Sequence, residues 1–238
     1  MSKPTLRKNI RLFIFVGLIV SVNTMAQTHV KVAGAMRNVM RKGEIFGIIN
    51  LDTIRNKTGL YGLGPVEYLA GELLIIDGRS YRSKVRNASS MVVEETYQTK
   101  APFFVYANAV AWDEHMLPVE IKTIQQLERY MDSLTVNKKR PFVFKLSGPI
   151  VHAKIHLQNL PEGTEINSPE DAHRWKVNYE IKDREVDIVG FFSSAHQGIF
   201  THHDSFLHMH MITKERDQMG HLDEIIFQKG IKLYLPIE

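Results

Sequence analysis

Three histidines, His208, His210 and His221, carry the spacing in this chain most able to do chemistry. They form a His-x-His pair and a third imidazole with ten residues between it and His210. Side chains alternate across a strand, so in Phe206-Leu207-His208-Met209-His210-Met211-Ile212 both imidazoles of the pair would leave one face of rigid backbone. Gly220 suits a turn that lays the following strand alongside the first, so His221 would arrive by antiparallel pairing. Three protein nitrogens leave positions open on a zinc ion, which is how catalytic zinc is held. Spacing alone fits equally a His-rich stretch without a metal, because His202 and His203 lie just upstream.

These residues need a sheet to position them, and the sequence supplies many short strands. Asp77-Gly78 favours a tight type I′ turn, which predicts a hairpin between Gly71-Glu72-Leu73-Leu74-Ile75-Ile76 and Ser80-Tyr81-Arg82-Ser83. Strands are predicted over 91–97, 103–110, 141–146, 150–157, 175–181, 185–192 and 206–212, with a last pair around Ile225 and Leu233. A short helix is expected over 33–42. A longer one is expected over 121–134, where Ile121, Ile124, Leu127, Met131 and Leu134 recur at helical spacing. The basic run 137–140 reads as a solvated connection and a boundary. The expected class is α+β: an N-terminal part over 27–140, a mixed β-sheet with helices, and a β-rich part over 141–238 that carries the metal site.

The first 26 residues read as a signal peptide. Lys3, Arg7, Lys8 and Arg11 precede an apolar run from Leu12 to Val22, and Thr24-Met25-Ala26 places small residues before a cut after Ala26. A periplasmic or secreted protein with no membrane attachment after cleavage is expected, the run being shorter than the roughly 20 residues of a span. The chain of 238 residues has 30 basic and 26 acidic side chains. Without the four leader cations, 26 of each remain, so the charge of +4 belongs to the leader, and nucleic acid or anionic lipid has no electrostatic case as a partner. The absence of cysteine excludes a disulfide scaffold and a cysteine-attached lipoprotein. No Gly-rich phosphate loop or serine-hydrolase elbow appears.

Taken in order, Tyr61-Gly62-Leu63-Gly64, the Gly71 to Gly78 hairpin, Gly190-Phe191-Phe192 with Gln197-Gly198-Ile199, His208-Met209-His210 and Gly220-His221-Leu222 resemble the alpha-acetolactate decarboxylase family. The resemblance runs from about residue 30 to the C-terminus. It implies a two-part α/β subunit that dimerises, and a zinc ion held by His208, His210 and His221. It further implies decarboxylation of 2-acetolactate, a 2-hydroxy-3-keto acid, to acetoin and carbon dioxide without an organic cofactor. Glu72 matches the family's acidic residue, assigned to metal contact or to proton transfer. Without the resemblance, it is an exposed strand carboxylate.

Two departures stand beside the matches. Where the family has an arginine near substrate, this chain has Lys145, expected to hold the substrate carboxylate by charge but without a bidentate grip. The sequence also ends at Leu235-Pro236-Ile237-Glu238, short of the family's tail with its further glutamate. These leave open a catalytically weakened periplasmic metal- or ligand-binding homologue. A cupin-like metalloprotein, with His208, His210 and Glu215 as ligands, fits less of the pattern. His152 and His156 read as surface residues of a strand, and His202 and His203 as a loop, with the mouth of the site as their other reading. For His196 a supporting role is conceivable.

Overall fold

The structure, a computed structural model, describes residues 29–237. The leader and its cut after Ala26 lie outside the described residues, as does Glu238. In chain order the elements of the first half are β1 (Lys31–Ala33), α1 (Met36–Lys42), β2 (Ile49–Asn50), β3 (Leu60–Pro65), β4 (Glu72–Ile76), β5 (Arg79–Asn87), β6 (Ser90–Glu95), β7 (Lys100–Ala101) and β8 (Phe104–Asn108). Then follow β9 (Trp112–Met116), α2 (Ile124–Leu134), β10 (Phe142–Leu157), α3 (Pro169–His173), β11 (Val177–Phe192), β12 (Leu207–Thr213), β13 (Met219–Phe227) and β14 (Lys232–Pro236).

Two six-stranded sheets result, ordered β1-β8-β3-β4-β5-β6 and β11-β12-β13-β10-β14-β9. β10 also pairs with β11, so β10, β11, β12 and β13 close into a small barrel. The paired strands are antiparallel throughout, and the class is the α+β expected, mostly β with few helices. The Asp77-Gly78 hairpin forms as predicted, both residues taking positive φ, 48° and 75°. The pairs predicted over 141–157 and 175–192 are each one long strand, bent at Gly148 (φ 139°) and at Asp183 (φ 50°). Turn-prone residues there bend a paired strand without ending it.

Thr123 starts α2 three residues later than predicted. Its hydroxyl accepts the Gln126 N–H, and the Gln126 side chain accepts the Thr123 N–H in return, a reciprocal cap that fixes the first turn. The apolar face of α2 buries Leu127 and Met131 in the barrel's core, and β9 pairs with β14. The chain passes from the first sheet to the second between β8 and β9, around Ala109 to Ala111, and the basic run 137–140 lies between α2 and β10. That basic run is tied down: Arg140 pairs with Asp132 at 2.8 Å, and Lys138 donates to the Pro236 carbonyl.

The interior of the barrel is filled by residues such as Phe144, Leu146, Ile188, Met209 and Met211. A second core joins the sheets: Val143, Val189, Phe191 and Ile212 of the barrel pack against Tyr61, Leu63, Leu74 and Val105 of the first sheet. The barrel face in that junction is also the face that carries the histidines. His208 pairs with Phe191, and His210 with Val189, and directly paired residues share a side of the sheet.

Candidate metal centre

His210 and His221 are direct cross-strand partners, and His208 lies two residues along β12 from His210, so all three rings leave one face. The strand pairing inferred from the sequence is present. Its turn, however, is Lys214 to Gln218, and Gly220 lies inside β13. A Cβ at Gly220 would sit 2.7 Å from the His156 carbonyl oxygen, so the glycine is required there for the close approach of β10.

One ligand nitrogen from each ring lies within 4.8 Å of the others, and all three residues are buried. His208 Nε2 is 3.2 Å from His221 Nδ1. A zinc ion with bonds of about 2.0–2.1 Å and near-tetrahedral angles holds two nitrogens roughly 3.3–3.4 Å apart, close to this separation. His210 Nδ1 donates to the Leu73 carbonyl at 2.9 Å, which leaves Nε2 bare. That Nε2 has no hydrogen-bond partner although buried, a loss of about 1–3 kcal/mol that a bound cation would relieve. Burial, then the neighbouring imidazoles, hold His208 and His221 well below the usual histidine range. Burial also takes His210 down to about 3. All three are therefore neutral near pH 7, the form that binds metal. The donor set fits a divalent cation.

Glu72 enters from the first sheet. It is buried, its Oε1 accepts the Gln158 N–H at 3.2 Å, and its Oε2 lies 3.6 Å from His210 Nε2. Burial lifts its carboxyl well above the ordinary range, favouring the protonated acid over the carboxylate. It is therefore not the exposed carboxylate that the strand pattern alone suggested.

Lys145 is not brought to the histidines. Its ammonium lies 4.8 Å from the Trp112 ring centre and 4.6 Å from that of Tyr234. It lines a separate cavity of about 330 Å³ with Tyr61, Tyr81, Asp187 and others, none of them histidine. It shares a side of the sheet with His210, but Val189 stands between them in the pairing. Glu215 does not join the histidines either. It is exposed in the β12–β13 turn and paired with Arg184 at 2.8 Å, which removes the ligand that the cupin alternative needs.

Several residues at the centre were not expected. His156 is buried, not a surface residue, because β10 pairs with β13 on the side away from β12 and sets His156 opposite His221. Its ring centre is 4.7 Å from that of His221, and its Nδ1 donates to Asp223 at 2.8 Å. Leu222 faces Ile155 and Glu224 faces Lys154, so Asp223 is the extra residue of a bulge, a device that re-aims a side chain. His202 does lie in a loop, but that loop turns its ring onto the centre, with Nε2 3.3 Å from His221 Nε2. His173, from α3, stands edge-on to His156, and burial pushes it down to about 4. His196 instead bonds Ser193 at 2.7 Å and stacks on Phe200, inside the loop's base. The even spacing of His152 and His156 could have set both on one strand face, but only the pairing of β10 decides which face is buried.

Glu72, His156, Gln158, His202, His208 and His221 enclose a cavity of about 20 Å³, room for an ion or one water. His202 and His221 also line an outer cleft of about 370 Å³ that opens beside α2.

Known proteins resemble this chain along most of its length. The family model described as alpha-acetolactate decarboxylase matches residues 34–235. An alpha-acetolactate decarboxylase of Streptococcus thermophilus is 22% identical over 184 residues, 76% of this chain and 73% of that one. One from Lactococcus lactis subsp. cremoris is 21% identical over 202 residues, 83% of this chain and 76% of that one. The crystal structure of alpha-acetolactate decarboxylase from Bacillus subtilis strain 168 superimposes with a TM-score of 0.73 at 19% identity, covering 88% of this chain and 86% of that one. At that identity the superposition establishes the fold.

Proposed function

The chain belongs to the alpha-acetolactate decarboxylase family, and from that premise we propose that it is a zinc-dependent lyase converting 2-acetolactate to acetoin and carbon dioxide. The observation that carries this reading is the convergence of three buried imidazoles beside a buried glutamate whose carboxyl lies well above its ordinary range. A divalent ion bound by His208, His210 and His221 would supply a Lewis acid able to draw electron density from the substrate's ketone.

The residues of the chain account for the remainder. Breaking the bond to the carboxylate releases carbon dioxide and leaves its electron pair in an enediolate. One proton added at carbon then completes acetoin. Glu72 is suited to hold that proton, since burial strengthens the carboxyl's grip on it and Oε2 lies 3.6 Å from His210 Nε2, beside the ligand set. The Gln158 N–H fixes the orientation of that carboxyl. Asp223 fixes the ring of His156, a residue that lines the cavity and could offer its other nitrogen to a substrate oxygen. Buried Phe103 and Met36 complete an apolar wall that limits water. A five-carbon acid needs more than the 20 Å³ enclosed here, and the outer cleft of about 370 Å³, which shares His202 and His221 with it, is the side from which substrate would approach.

Lys145 has no part in this scheme, because its cavity is separate. Export through the leader and assembly into a homodimer remain part of the proposal, supported by the leader's composition and by the resemblance. The test is to add racemic acetolactate to zinc-loaded protein and assay acetoin. Formation no faster than the spontaneous reaction would refute the activity.

A further inference from the structure

His221 presents its two ring nitrogens in two directions. Nδ1 lies 3.2 Å from His208 Nε2, and Nε2 lies 3.3 Å from His202 Nε2. A neutral imidazole carries one proton, and the nitrogen without it is the one that can bind metal. For Nδ1 to serve beside His208, the proton must sit on Nε2, where His202 is the acceptor within reach.

We propose that His202 is the positioning residue of this centre: its Nε2 accepts the Nε2–H of His221 and holds that ring in the tautomer whose bare Nδ1 faces His208. Outer partners of this kind orient metal-binding histidines and raise their basicity. The structure builds the acceptor deliberately into place. The loop that bears His202 begins at Thr201, which bridges to Gln197, and ends at Ser205 and Phe206. Both of the latter are anchored to one carboxylate of α2: the Ser205 hydroxyl donates to Glu128 at 2.6 Å and the Phe206 N–H at 2.8 Å. Glu128, one helix away, therefore sets the position from which His202 reaches His221. The rings of His202 and His221 meet edge-on, centres 5.2 Å apart, an arrangement suited to a hydrogen bond in the plane of one ring.

This inference rests on the proposed metal centre, and its test separates the two. Zinc affinity would be measured by competition with a chromogenic chelator for the unaltered chain, His202→Leu and His202→Gln. The absorption spectrum of each cobalt(II)-loaded form would be recorded as well. His202→Leu keeps bulk but cannot accept, so affinity should fall about 10–100-fold with altered cobalt bands. His202→Gln offers a carbonyl oxygen as acceptor and should recover most of both. Equal affinity and an unchanged spectrum in His202→Leu would overturn the positioning role, as would a glutamine variant as weak as the leucine one. An unaltered chain that binds no zinc would overturn the metal centre itself, and this role with it.

Discussion

His210 donates its Nδ1 proton to the backbone carbonyl of Leu73 across 2.9 Å, and this one bond links a ligand of the barrel to the strand of the first sheet that begins at Glu72. It sets the tautomer of His210 and fixes the distance between ligand and acid. The centre is thus built across the junction of the two sheets, where the packing of Val189, Phe191, Leu63 and Leu74 holds the geometry.

Glu72 is a proton donor in this account, not a structural ligand. Glu72→Gln removes the transferable proton while keeping shape and the Gln158 contact. The variant should bind zinc as the unaltered chain does and lose about 10²–10⁴-fold in kcat, the usual worth of a positioned acid. Metal content and steady-state rates measured together check this, and undiminished turnover would remove Glu72 from the mechanism.

The buried histidines predict an acid-sensitive metal-free protein. His208, His210, His221 and His173 have folded values below the ordinary 6.5, so beneath that pH the unfolded chain binds protons that the folded chain refuses. Stability should fall as pH drops from about 6.5 toward 4, the value for His173, and further toward 3, the value for His210. Glu72 acts in the opposite sense. Its folded value is raised, so its contribution is full below 4.5 and is lost as pH rises through that folded value, which flattens the curve. Urea midpoints of chelator-treated protein across this range check the sign, and a midpoint that rises on acidification contradicts it.

Lys145 separates the resemblance from the structure. Its ammonium sits among Tyr61, Trp112 and Tyr234 in a cavity without histidines, so Lys145→Met should leave KM for acetolactate close to the unaltered value. A large rise in KM would show that the side chain reaches the substrate after all.

Much of the centre was legible in the chain because strand periodicity is local. His208 and His210 share a face by spacing alone, and the Asp77-Gly78 turn marks the hairpin that carries Glu72. What spacing does not encode is which strands become neighbours. His156 enters through the pairing of β10 with β13, Asp223 through a bulge in that pairing, and His202 through a loop anchored on Glu128. Lys145 shows the converse. It shares a strand with His156, but eleven residues of a bent β10 carry it to a different cavity.

The most direct measurement is the rate of acetoin formation as zinc is returned stepwise to chelator-stripped protein, for the unaltered chain and His210→Ala. The rate should rise in proportion to bound zinc and level off at one ion per chain, while His210→Ala should neither retain zinc at those concentrations nor form acetoin. Full activity in the stripped chain, or in His210→Ala, would contradict a reaction centred on the three imidazoles.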